Sequence, residues 1–169
     1  MFRRANAFNQ NLNDWDMSNV VTVANMFQGN LGFNAAIGNW DMGRVTNMSA
    51  MFSQASAFNQ DISGWDVSSV TNMSFTFSMA NRFNQDLTNC NVSNVRNMQS
   101  LFQRSPFNQD ISGWDTGRVT NMSFMFSLSN SFNQTLTGWN VQNVTNCTSF
   151  RQASALLPAN VPNFTNCSQ

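Results

Sequence analysis

The chain has 169 residues, only 9% of them charged, and eight Arg balance eight Asp to a net charge of zero. Lys, Glu, His and Tyr are absent, so the chain carries neither the basic footprint of a nucleic-acid binder nor most of the side chains used as general bases. Aromatic residues make up 12% of the sequence and recur at regular places, which argues against disorder.

The regularity is a repeat. A Phe recurs at Phe8, Phe33, Phe58, Phe83, Phe107 and Phe132, at spacings of 25, 25, 25, 24 and 25 residues, and Val20, Val45, Val70, Val95, Val119 and Val144 keep the same beat. A fixed period of this size predicts a solenoid, in which each unit buries its apolar face against its neighbours. The whole chain, 1–169, is therefore read as one domain. A partial repeat spans 1–7, full repeats start at 8, 33, 58, 83, 107 and 132, and an irregular partial repeat spans 156–169. Met1 is in phase with Met51, and Gln169 with Ala50. On that phase the chain reads as a window from a longer array, or as a unit that stacks head to tail.

Within a repeat the first segment alternates. In Phe58-Asn-Gln-Asp-Ile-Ser63, Phe58, Gln60 and Ile62 face one way and Asn59, Asp61 and Ser63 the other, which predicts a short strand. A turn at Gly64 follows. Trp65 then sits in a row with Trp15, Trp40, Trp114 and Trp139, expected in the core with Phe58, Phe83 and Phe107, and Cys90 interrupts that row. In Val70-Thr-Asn-Met-Ser-Phe-Thr-Phe-Ser-Met-Ala80 the apolar residues Val70, Met73, Phe77 and Ala80 fall at helical steps, which predicts a short helix or helical turn. The β-branched Val-Thr pair leaves an extended alternative open. Each unit is thus read as α/β, a parallel strand plus a helical segment.

The outward strand rows are Asn59, Asn84 and Asn108; Asp61, Asp86 and Asp110; and Ser63, Thr88 and Ser112. They form the expected binding face. Three stacked Asp repel one another, and a Ca²⁺ ion would relieve that repulsion, making Asp61, Asp86 and Asp110 the candidate metal ligands. The Gln row (Gln10, Gln60, Gln85, Gln109, Gln134) is expected to turn inward and bond along the stack as an amide ladder. Thr46, Thr71, Thr120 and Thr145 form a flat row of the kind that orders water, interrupted by Arg96. Asn47, Asn72, Asn121 and Asn146 each lie in Asn-x-Ser/Thr, the acceptor sequence for N-glycosylation. Cys147 and Cys167 share a phase in consecutive repeats, close enough for a disulfide.

The string Phe-Asn-Gln-Asp-Ile-Ser-Gly-Trp-Asp-Val-Ser-Ser-Val-Thr-Asn-Met-Ser resembles the BspA-type leucine-rich repeat, also called the DUF285 repeat, over nearly the whole chain. The resemblance implies a leucine-rich-repeat-like solenoid of about six 25-residue units. It further implies an extracellular or cell-surface location and a non-catalytic role in adhesion, with a protein or surface glycan as partner. Two other roles are weighed beside it: a building block that stacks end to end into a fibre, and a binder of ice or another crystalline surface. No cofactor beyond a candidate Ca²⁺, no nucleic acid and no membrane insertion is expected.

Overall fold

The computed structural model describes residues 1–168 and overturns the strand-plus-helix reading of the repeat. Among the described residues there is no α-helix, and the one helical piece is a short 3-10 turn, Pro158–Asn160. No continuous strand forms either. Pairing is confined to isolated parallel bridges linking Thr22 to Asn47, then Asn72, Asn97, Asn121 and Asn146. The α/β leucine-rich-repeat-like architecture is therefore not the one adopted. The repeats are chains of tight turns laid directly on one another.

The backbone bonding of Met73–Ala80 shows why no helix forms. The amides of Met73, Phe75, Phe77 and Met79 donate out of the repeat, to the carbonyls of Asn97, Gln99, Leu101 and Gln103, at 2.8–3.0 Å. The alternate amides of Thr76, Ser78 and Ala80 donate locally, to the carbonyls of Met73, Phe75 and Phe77. The Ser74 amide is taken by Asn72 Oδ1 at 3.0 Å. Every donor finds an acceptor without the i→i−4 pattern of a helix. The arrangement requires left-handed backbone twice per repeat, at Phe75 (φ 59°) and Met79 (φ 56°) here. A helix cannot pass through such residues. The steps of three and four that mimic a helical stripe come from turns that return an apolar side chain inward at each bend.

The segment expected as a strand is held by side chains instead. The amide of Asn59 donates to Asn34 Oδ1, that of Asn84 to Asn59 Oδ1 and that of Asn108 to Asn84 Oδ1, at 2.8–3.0 Å. The half-buried Gln residues do not bond to one another. Gln60, Gln85 and Gln134 reach back with Nε2 to the carbonyls of Asn34, Asn59 and Asn108. A side-chain ladder thus replaces a β-ladder, and it needs an Asn in every copy.

Inside this frame the aromatic rings stack in files. Phe33, Phe58, Phe83, Phe107 and Phe132 follow one another with centroids 5.8–6.2 Å apart, and Phe52, Phe77 and Phe102 form a second file at 5.8 Å. The two files meet face to face within each coil, as at Phe52 and Phe58, 3.8 Å apart. Trp40, Trp65, Trp114 and Trp139 are buried, and each indole donates to a carbonyl of the preceding coil, Trp65 to Ile37 O at 3.0 Å. Trp15, expected in the same core, is instead 39% exposed at the N-terminal face, where no earlier coil covers it. At the other end the stacking stops: Phe150 meets Phe126 edge-on, Phe164 closes over Phe150, and a disulfide joins Cys147 to Cys167.

Cys90 leaves an apolar gap in the Trp file, lined among others by Trp65, Met73, Leu87 and Trp114. Trp65→Ala is expected to lower unfolding free energy by about 3–5 kcal/mol in urea titrations, since it empties a packed aromatic slot and removes the indole bond to Ile37 O, which keeps only the Trp40 amide. Cys90→Trp is expected to raise it by about 0.5–2 kcal/mol, because the file supplies ring neighbours on both sides and the Ile62 carbonyl as acceptor. A lower midpoint for that variant would show that the coil has closed around the smaller side chain.

Candidate functional site

Two faces of the stack carry side chains open to solvent. The first is the row of outward residues expected to bind. Asp61, Asp86 and Asp110 are exposed, yet each uses one carboxylate oxygen at home, accepting from the amides of Ser63, Thr88 and Ser112 at 2.8–2.9 Å. These bonds favour the charged form and hold each carboxyl below its ordinary value: Asp61 and Asp110 mainly through the backbone amide of Ser63 and of Ser112, Asp86 mainly through the Thr88 hydroxyl. The Thr88 hydroxyl also lies 2.9 Å from the Asp110 carbonyl, so its single proton serves one acceptor at a time. Among the described residues no three of His, Cys, Asp and Glu form a group that could hold a metal ion, the Ca²⁺ candidates Asp61, Asp86 and Asp110 included. Asn59, Asn84 and Asn108 spend their carbonyl oxygens on the ladder.

The other polar rows are similarly engaged. Thr46, Thr71, Thr120 and Thr145 direct their hydroxyls to carbonyls of the preceding coil. Asn47, Asn72, Asn121 and Asn146 each cap the amide two residues on, which explains Asn in the Thr-Asn-Met motif without reference to sugar. Three of the eight arginines pair with neutral groups: Arg44 with Asn19, Arg118 with Asn94 and Arg151 with the Leu156 carbonyl.

The second face was not legible as a site in the sequence. Its two rows are the left-handed positions: Asn25, Ala50, Phe75, Ser100, Phe124 and Ser149 in one, and Gly29, Gln54, Met79, Arg104, Leu128 and Ala153 in the other. Glycine meets the positive φ without a steric penalty, but only Gly29 does so here, while Phe75, Met79, Phe124 and Leu128 hold bulky side chains half-exposed. For such residues left-handed backbone costs about 1–2 kcal/mol. Between these rows runs a groove of ≈ 460 Å³. Ser53 and Ser78 line it in one row between Gln28 and Gln103, with Ser74, Gln54 and the half-exposed Phe75 and Met79 beside them. None of its lining residues is charged. Gln28 Oε1 is buried without a hydrogen-bond partner among the described residues, an unusual condition for an amide oxygen. One signal in the sequence pointed here. Phe75 and Met79 fall off the apolar stripe of Val70, Met73, Phe77 and Ala80, so they are large apolar residues with no assigned place in the core.

The one free thiol, Cys90, is pushed up to about 11, chiefly by burial, and stays protonated at neutral pH. The groove presents amides, hydroxyls and an aromatic side chain.

A tandem-repeat protein with a polar, aromatic-edged groove is the class defined by these coils. The chain belongs to the family described as "Mycoplasma protein of unknown function, DUF285", whose model matches residues 1–106 and 88–166. Neither the curated proteins nor the solved structures contain a match.

The lowered Asp carboxyls give a pH dependence with a definite sign. Their folded values lie below the unfolded value of about 3.9, so the stability they contribute is present above that pH and is lost as pH falls through the folded values. Unfolding midpoints are therefore expected to be level near neutrality and to decline below about pH 4. Asp86→Asn is expected to leave the fold intact and to lower the neutral-pH midpoint only slightly, because Asn11 already caps an amide in the same way at that phase. A folding defect in that variant would show that the carboxylate charge itself is required.

Proposed function

We propose that this is a non-catalytic extracellular or cell-surface repeat protein that acts in adhesion by binding a protein or surface glycan. The observation that carries the reading is the groove edged by Phe75 and Met79. Both are large apolar side chains kept half-exposed on strained backbone, beside amides that the stack itself does not use. Burial of such aromatic edges by a partner is where interface energy concentrates. The disulfide between Cys147 and Cys167 favours an oxidising compartment. Membership of a family with no assigned activity neither adds to the proposal nor opposes it.

The test is binding of the labelled protein to intact cells and to immobilised matrix proteins and glycans, beside the double variant Phe75→Asn/Met79→Asn. Asn tolerates left-handed backbone, so the variant is expected to fold while losing at least about tenfold in affinity, the scale of one or two aromatic contacts. Saturable binding that the double variant leaves intact would move the site elsewhere. Absence of binding to every surface would end the adhesive reading.

A further inference from the structure

We infer that the groove takes a neutral oligosaccharide, bound along the axis of the stack, with Phe75 as the surface on which a sugar ring rests. The inference rests on the adhesive reading above and narrows its ligand.

Three observations separate a glycan from a peptide. First, every main-chain amide lining the groove is already used. The amides of Asn25, Ala50 and Gln54 donate to the carbonyls of Ser49, Ser74 and Ser78, and those of Phe75 and Met79 to Gln99 and Gln103. An extended peptide gains much of its affinity from main-chain bonds to a free edge, and no such edge lines this groove. Second, the lining is uncharged but rich in groups that both donate and accept, the amides of Gln28, Gln54 and Gln103 and the hydroxyls of Ser53, Ser74 and Ser78. This inventory matches the hydroxyls of a neutral sugar and sets no cationic partner against the carboxylates or sulfates of an acidic one. Third, the buried Gln28 Oε1 wants a donor. That oxygen is closed to solvent in the free protein, so the Gln28 amide must turn toward the groove before a sugar hydroxyl can donate to it, and the acceptor left unpaired then contributes to affinity.

The dimensions agree. Equivalent residues recur once per coil, at a step near the roughly 4.8 Å of neighbouring parallel chains. The groove runs from Asn25 and Gln28 in one coil to Gln103 three coils later. Three such steps accommodate about three sugar units. A single contact of this kind is weak. A repeating ligand on a surface compensates by engaging several molecules together.

The experiment is a titration of the protein, isotopically labelled in its side-chain amides, with neutral hexasaccharides of glucose, mannose and xylose and with a heparin hexasaccharide, followed by NMR. Shifts of the Gln28, Gln54 and Gln103 amides are expected with at least one neutral hexasaccharide and not with heparin. Phe75→Asn is expected to weaken them at least tenfold with an unchanged melting temperature. Phe124→Asn, which makes the same change at the same backbone position outside the groove, is expected to leave them intact. Equal loss in both variants, or shifts that survive Phe75→Asn, would overturn the assignment. Heparin-only binding would overturn it too. If no saccharide shifts these amides while cell or matrix binding persists and is sensitive to Phe75→Asn, the glycan is wrong and the adhesive reading stands. If cell and matrix binding are also absent, both fall.

Discussion

The structure depends on pairing every backbone polar group in a chain that forms neither helix nor sheet. The solution is an alternation. One amide crosses to the next coil and the following one closes a local turn, so that Met73 to Ala80 leaves no orphan donor. Unpaired groups at each bend would cost about 1–3 kcal/mol apiece, and a coil with several bends per repeat has no margin for that. The alternation in turn imposes left-handed backbone at two positions per repeat and a nearly invariant repeat length, since slipping one coil by a residue would misalign every crossing bond.

The constraint sorts the polar residues into two kinds. Asn59, Asp61, Thr71 and Asn72 look like surface decoration, but they cap turns or bridge coils, and their regularity is that of structural parts. Gln28, Gln54 and Gln103, in rows that vary from copy to copy, are left free for other work. Variation within a repeat is thus more informative about binding than regularity, because the backbone already accounts for what is regular.

Charge follows the same division. All eight Asp (Asp14, Asp16, Asp41, Asp61, Asp66, Asp86, Asp110 and Asp115) fall in one short phase of the repeat, while no Arg does. Turn capping explains the carboxylates, since Asp16, Asp61, Asp66 and Asp86 each accept from the amide two residues on. Three of the arginines, Arg44, Arg118 and Arg151, bond to Asn side chains and a carbonyl instead of to acidic partners.

The sequence by itself determined the period, the number of copies, the apolar rows of Phe, Trp, Val and Met, and the family resemblance, because burial in a repeat leaves a mark at fixed intervals. It also placed Cys147 and Cys167 in one phase, and the structure joins them. It misled on local geometry. Val70, Met73, Phe77 and Ala80 have the spacing of a helix, and Phe58–Ser63 the alternation of a strand, yet both spacings arise from turns. Only the tertiary structure decided between these, because the deciding bonds run to residues about 25 positions away, a distance that no local pattern encodes. The same holds for the groove: Gln28, Phe75 and Gln103 become neighbours only when the coils are stacked.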